Sequence, residues 1–194
     1  MSRPFMHRRG PAQFHRPVTA KDYIKLVVVL ILFFGGIVGL YKILVVNKEP
    51  VSAQRVWEIM EAHGYEPRDV TEEYYSMDPG FKQTLDRAIS FDSGDDMRFT
   101  YFVFKGIAGA SDLYGQAYAK ITMQYDANHK IETSYRAGNY RIYLLDSLGK
   151  FNAAIWVENT TVYAYCNSEN KGDIISILDE MNYAKGETLF NKRK

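Results

Sequence analysis

The chain is poor in the residues that build disulfides and metal sites. Its 194 residues include a single cysteine, Cys166, and four histidines. One cysteine cannot form an intrachain disulfide or supply a multi-cysteine metal site. The chain also lacks an excess of charge of either sign, because 24 basic and 23 acidic side chains leave a formal net charge of +1. Without an overall positive field, nucleic acid is not expected among the partners.

The motifs of common enzyme classes are missing as well. H-E-x-x-H, G-x-S-x-G, the P-loop and C-x-x-C do not occur in the sequence. The chain offers Cys166 with His63 or His129 as its one Cys–His combination. We expect Cys166 to share a strand face with Val162 and Ala164, a setting typical of a buried, inert thiol.

Acidic residues are clustered, but their spacing does not match a known site. Asp92, Asp95 and Asp96 lack the alternating ligand positions and closing Glu of an EF-type calcium loop. Glu72-Glu73 and Asp179-Glu180 are adjacent carboxylates, which point in different directions on a helix. We therefore predict no catalytic, cofactor-binding or metal-ligating residue, and a protein that is not an enzyme.

One long hydrophobic run lies near the N-terminus. From Leu26 to Val46 the chain has 21 residues with Lys42 as the sole charge. At about 1.5 Å per residue, a helix of this length matches the hydrocarbon core of roughly 30 Å. The pattern predicts a transmembrane helix over 23–46. A disordered basic arm over 1–22, favouring the lipid bilayer, would precede it, and a folded domain over 50–194 would follow.

Charge asymmetry predicts the orientation of such a helix. Residues 1–25 have a net charge of +5, whereas residues 47–194 contain 17 basic and 22 acidic side chains, a net of −5. By the positive-inside rule, the expectation is a single-pass cell-membrane protein with a cytoplasmic N-terminus and an extracytoplasmic C-terminal domain. A cleavable signal ending at Ala53 is the alternative, but the run is longer than a signal peptide requires.

Gly35 and Gly39 form a G-x-x-x-G pair within this run. Small residues four apart allow two membrane helices to approach closely, so this pair predicts helix association with a second copy or another subunit. The alternative is that glycines are simply frequent in membrane helices.

Residues 50–194 have the pattern of an α+β domain. Ser52 is a candidate N-cap for a helix that Gly64 ends, and the apolar spacing from Phe81 to Ile89 predicts a second helix. Residues 98–105 indicate a central strand, and Ser111 a helix reaching about Tyr125. The last third predicts a meander and a final helix, with strands at Tyr140–Leu145, Phe151–Val157 and Thr161–Cys166. The predicted fold class is therefore α+β, with an antiparallel-rich sheet of four to five strands, packed helices and one preceding transmembrane helix.

The order of these elements resembles a known group of bacterial domains. A helix followed by GYEPRDVT, an aromatic strand, ENTTVYAYC and DIISILDEMNY is similar to small exported domains of Gram-positive bacteria. These domains occur as lipoproteins or single-pass membrane proteins, and most lack an assigned activity. The resemblance implies a bacterial surface protein and brings no catalytic residue with it.

Two further features bear on recognition. Asn159-Thr160-Thr161 matches the N-glycosylation sequon at an expected turn, although a plain hairpin turn explains the same residues. Tyrosine is abundant beyond position 50, and such side chains either support strands or line a binding surface. The candidates are Tyr74, Tyr75, Tyr101, Tyr114, Tyr118, Tyr125, Tyr140, Tyr143, Tyr163 and Tyr165.

Taken together, these patterns favour a membrane-anchored, exported domain of non-catalytic binding or structural type. Its expected partner is a protein or an envelope component. Two alternatives remain: an accessory subunit of a membrane complex held through Gly35 and Gly39, and an extracytoplasmic hydrolase with an unfamiliar site.

Overall fold

The computed structural model describes residues 27–33, 47–94, 96–124 and 130–184. The chain divides into two compact units, Met1–Leu44 and Val45–Lys194. In the first unit, the described residues form a helix over 27–33 whose side chains are exposed.

The described helices correct the predicted membrane topology. A membrane-spanning helix needs about 20 apolar residues, and none of the helices within the described ranges combines that length with sufficient hydropathy. The prediction of a transmembrane helix over 23–46 was therefore wrong, and so was the single-pass localisation derived from it. Gly35 and Gly39 lie outside the described residues.

The second unit is an α+β fold around one antiparallel sheet. We number its elements in chain order: α1 (Ala53–Ala62), β1 (Arg68–Asp69), α2 (Thr71–Met77), α3 (Phe81–Thr84), β2 (Leu85–Asp92), β3 (Arg98–Phe104), α4 (Ile107–Gln124), β4 (Lys130–Ala137), β5 (Tyr140–Ser147), β6 (Lys150–Val157), β7 (Thr160–Asn167), a 3-10 turn (Ser168–Asn170) and α5 (Lys171–Glu180). The strand order is β1-β2-β3-β7-β6-β5-β4. The sheet thus has seven strands, more than the four to five predicted.

Helices cover the sheet on both faces. On one face, α1 and α5 pack their buried residues, such as Ile59 and Ile177, onto the sheet. On the other face, α4 contributes Ala110, Tyr114 and Ile121, while α2 and α3 add partly buried aromatic rings. A strand between two such layers is apolar on both sides, which is the pattern the sequence shows for β3.

Several elements confirm local signals in the sequence. The hydroxyl of Ser52 accepts a hydrogen bond from the Arg55 backbone N–H and caps α1. Gly64 follows that helix with a φ of +81°, a conformation that glycine adopts without a steric penalty. The final helix occupies Lys171–Glu180.

Other elements differ from the prediction. The helix expected from Phe81 to Ile89 is a single turn, α3, after which residues 85–92 form β2. Because β2 is buried on both faces, its apolar residues do not alternate and were misread as helical spacing. The strand β4 and the helix α2 were not predicted, and α4 begins at Ile107, ahead of Ser111.

Candidate functional site

Two arginines and a tryptophan form a row across three neighbouring strands. Arg136 of β4 lies opposite Arg141 of β5, and Arg141 lies opposite Trp156 of β6. Residues directly opposite in antiparallel strands point to the same face of the sheet. The three side chains therefore stand side by side on the face that α4 also covers.

An open depression of about 450 Å³ lies above this row. It is lined by Arg136, Gly138, Arg141 and Trp156, and we call it the arginine–tryptophan pocket. Arg136 is exposed and Arg141 is half-buried, whereas Trp156 retains only 8% of its surface. The pocket thus has a buried aromatic floor and a cationic rim open to solvent.

The turns around the pocket hold one another in place. Asn139, in the two-residue turn between β4 and β5, donates from Nδ2 to the Glu158 carboxylate at 2.9 Å. Its carbonyl oxygen accepts the backbone N–H of Glu158 at 3.0 Å. The indole Nε1 of Trp156 donates to the Glu158 carbonyl. Because its N–H is already used, Trp156 presents its ring rather than a donor to the pocket.

The positive charges of the pocket have no acidic partner within the described residues. Arg141 places its guanidinium carbon 5.5 Å from the centre of the Trp156 ring, a cation–π contact. The Nε atom of Arg141 is buried, and no acceptor for its hydrogen bond lies among the described residues. Like charges opposite each other on one sheet face repel, and a buried unsatisfied donor also costs free energy. An anion bound between the guanidinium groups would relieve both costs.

Tyrosines continue the same face beside the arginines. Tyr118 of α4 meets Tyr143 of β5 edge-to-face, with ring centres 4.7 Å apart, and Tyr114 stacks on Tyr118 at 6.2 Å. Burial raises the pKa of Tyr114, while Arg141 and Arg136 act in the opposite direction.

Tyr143 has a second buried polar group that lacks a partner among the described residues. Its ring is fully buried, and no described residue forms a hydrogen bond with its hydroxyl. Burial, with a smaller contribution from Glu132, raises the pKa of Tyr143 to about 12. The hydroxyl therefore stays protonated at neutral pH and remains a donor.

The row has the chemistry of an anion site. Guanidinium groups offer planar sets of N–H donors that match phosphate and carboxylate oxygens, often two at a time. None of the four lining residues supplies a nucleophile or a general base. The arrangement is suited to holding an anion.

Cys166 and His63 do not form a reactive pair. Burial, with the nearby carboxylates of Asp173 and Asp146, raises the pKa of the Cys166 thiol to about 12. A nucleophilic cysteine needs the opposite shift. The Nε2 atom of His63 lies 3.2 Å from a Glu180 carboxylate oxygen, and His129 lies outside the described residues.

The acidic turn is an ion-pair cluster. Asp92 accepts hydrogen bonds from Arg68 and Arg98. Burial raises the pKa of the Asp92 carboxyl, but the two arginines lower it further, so the pKa lies below its usual value. Asp96 pairs with Lys150 at 3.1 Å. Asp95 lies outside the described residues. Among the residues that the structure describes, no cluster of His, Cys, Asp and Glu side chains could hold a metal ion.

The sequon residues are used by the fold. The Asn159 amide donates to the Phe104 carbonyl at 2.9 Å, and the buried Thr161 hydroxyl donates to the Ala110 carbonyl at 2.7 Å. Both groups that a glycosylation sequon must present are therefore engaged in holding β3, β7 and α4 together.

Four of the ten singled-out tyrosines are buried in the core. Tyr101, Tyr114, Tyr140 and Tyr143 are buried, whereas Tyr118 keeps 40% of its surface exposed. Tyr125 lies outside the described residues. Within the described part of the chain, Tyr114, Tyr118 and Tyr143 form a group in ring contact on the same sheet face as the two arginines.

The pocket arginines were not identified from the sequence, although a signal exists. They occur in the segment Arg-Ala-Gly-Asn-Tyr-Arg, from Arg136 to Arg141. If Gly138-Asn139 is read as a two-residue hairpin turn, the two arginines become a facing pair. Without β4 as a strand, nothing in the sequence pattern places the two arginines opposite each other.

Comparisons with known proteins do not identify a family. No protein-family model and no curated protein sequence matches the chain. A crystal structure of a GTP binding regulator from Thermotoga maritima aligns with 71% of this chain and 94% of its own, at 13% identity and a TM-score of 0.39. A likeness this weak supports no conclusion about function.

Proposed function

We propose that this protein is a non-catalytic binding domain that holds an anionic group, a phosphate or a carboxylate, in the arginine–tryptophan pocket. The observation that carries the proposal is the facing pair Arg136 and Arg141, which has no carboxylate partner within the described residues. Every other arginine in the described second unit forms an ion pair with a carboxylate.

The surroundings of the pocket support selective rather than general attraction. Residues 47–194 have a net charge of −5, so most of this unit repels anions. The hydrogen bonds of Asn139 and Trp156 to Glu158 fix the pocket wall before a ligand arrives. A prearranged site loses little conformational entropy on binding.

Tryptophan fluorescence tests the proposal directly. The chain has two tryptophans, so Trp57→Phe leaves Trp156 as a single reporter beside the pocket. This variant of the full chain is titrated with inorganic phosphate and, separately, with acetate, while chloride keeps the ionic strength constant. We expect saturable changes in Trp156 emission, and the stronger of the two responses identifies the anion class.

Arginine variants give the matched comparison. Arg141→Met removes the charge but keeps an apolar side chain over Trp156, and we expect it to weaken binding about tenfold or more. Arg87→Met removes one charge at a distant ion pair with Asp69 and should leave affinity unchanged. Absence of saturation, or equal weakening by both variants, would refute an anion site at the pocket.

A further inference from the structure

The strand β4 forms one edge of the sheet and has a long, regular ladder. All eight residues from Lys130 to Ala137 pair with β5, without a bulge. At the opposite edge, β1 has only two residues. Short edge strands resist further pairing, whereas a long regular edge presents unpaired backbone groups to another strand. Within the described ranges, no element pairs with the outer side of β4.

The turn that joins β4 to β5 determines which backbone groups point outward. Ala137 and Tyr140 flank a two-residue turn, so they form the hydrogen-bonded pair that closes the hairpin. Hydrogen-bonded and non-hydrogen-bonded pairs alternate along antiparallel strands. The backbone N–H and C=O groups of Glu132, Ser134 and Arg136 therefore point away from β5.

The side chains of the same three residues are exposed on the pocket face of the sheet. Their charges are opposite at the two ends, with the carboxylate of Glu132, the small hydroxyl of Ser134 and the guanidinium of Arg136. This pattern is complementary to itself when read in the reverse direction. If two copies of β4 run antiparallel with Ser134 facing Ser134, each Glu132 faces Arg136 of the other copy.

We propose that two copies of this chain associate through β4, forming one continuous antiparallel sheet about a two-fold axis at Ser134. Outward N–H and C=O groups at positions 132, 134 and 136 then pair in register across the axis. A register shifted by two residues would place like charges or unmatched side chains opposite each other. The two Glu132–Arg136 contacts therefore favour the proposed register.

A second copy fits this edge better than an unrelated strand does. A C2 interface uses the same patch twice, and that patch must be self-complementary, as the order of Glu132, Ser134 and Arg136 is. The proposed dimer is a feature beyond the proposed anion site, and both use Arg136. Its guanidinium has five N–H donors, enough to contact a carboxylate at the interface and an anion in the pocket.

A cysteine at the axis provides the first test, in the full-length chain. The expected Cα–Cα distance for a hydrogen-bonded antiparallel pair is about 5.5 Å, within the range of a disulfide. Ser134→Cys should therefore form a disulfide-linked dimer under mild oxidation. Glu132→Cys places the two thiols four residues apart, about 13 Å, and should not crosslink. The wild-type chain, whose Cys166 is buried, is the background control.

Charge exchange provides the second test, by analytical ultracentrifugation. Glu132→Arg and Arg136→Glu each put like charges face to face, so each variant alone should shift toward monomer relative to the wild type. An equimolar mixture should recover dimer, because every facing pair is then opposite in charge. Equal crosslinking at positions 132 and 134, or no recovery on mixing, would overturn the β4 dimer. Neither result bears on the Arg141 titration, so the two proposals fail separately.

Discussion

Leu148 occupies an unusual backbone conformation for a leucine. It lies at the tip of the β5–β6 hairpin with a φ of +52°, and 71% of its surface is exposed. The left-handed region costs an L-residue roughly 1–2 kcal/mol, and asparagine tolerates it better. The exposed Leu148 side chain gains little from burial to offset that cost.

We therefore expect Leu148→Asn to raise the free energy of unfolding by about 0.5–1 kcal/mol. Denaturant unfolding followed by circular dichroism measures the change. Leu148→Ala is the control, because alanine retains the Cβ penalty and should give no comparable gain. A stability equal to that of the wild type in Leu148→Asn would show that the turn is not strained.

The thiol of Cys166 should be inert in the folded protein. Complete burial excludes reagents, and a pKa of about 12 leaves almost no thiolate at neutral pH. We expect iodoacetamide to leave native protein unmodified at pH 8 and to alkylate it fully in denaturant, as mass spectrometry would record. Rapid labelling of the native chain would contradict the buried position.

At the scale of an element, α4 has two glycines with different surroundings. A Cβ added at Gly109 would lie 2.7 Å from Cδ1 of Phe104, whereas one at Gly115 meets nothing within 4 Å. The Phe104 ring is buried between Phe81 and Phe102, so it cannot move aside easily. Close approach of helix and strand explains glycine at position 109 only.

The two alanine substitutions should thus act in opposite directions. Gly109→Ala should destabilise the fold by about 1–3 kcal/mol through overpacking, while Gly115→Ala should stabilise it by about 0.5–1 kcal/mol through helix propensity. Thermal and denaturant unfolding of both variants provide the comparison. Similar shifts of the same sign would mean that α4 is not seated closely against β3.

The elements that sequence predicted well carry strong local signals. Ser52 and Gly64 mark the ends of α1, and the aromatic run of β3 signals a strand covered on both sides. The signals fail where tertiary burial overrides local pattern. β2 is apolar on both faces without alternation, and the polar, exposed positions of β4 concealed an edge strand.

The candidate site was missed for the same reason. Arg136 and Arg141 are ordinary surface residues until the hairpin register makes them face each other. Sequence alone correctly predicted that Cys166 is buried, but it did not reveal the use of Asn159 and Thr161 by the fold. Such contacts join distant segments, and no local pattern encodes them.

At the scale of the whole molecule, buried phenols and the thiol link stability to alkaline pH. Burial raises the pKa of Tyr65 and Tyr143 to about 12, and it also raises the pKa of Tyr101 and Tyr183. The unfolded chain releases these protons near pH 10, and the thiol proton near pH 9, while the folded protein still holds them. Stability is therefore fully present below pH 9 and falls as pH rises.

Each fully buried group lowers the free energy of unfolding by about 1.4 kcal/mol per pH unit between its unfolded and folded pKa, and the partly exposed Tyr65 contributes less. We expect denaturant midpoints to be constant from pH 7 to 8.5 and to fall steeply above pH 10. Tyrosinate absorbance at 295 nm should appear together with unfolding. Full tyrosine ionisation in a chain that is still folded would contradict this linkage.

The strand order also has a kinetic consequence. β4 to β7 form consecutive hairpins with two-residue turns, so their contacts close short loops and can form early. The α4-to-β6 segment separates β3 from β7 in the chain, so pairing these two strands closes a much longer loop. The β3–β7 seam should therefore be the last ladder to assemble, so substitutions along it should mainly speed unfolding and change the rate of folding little.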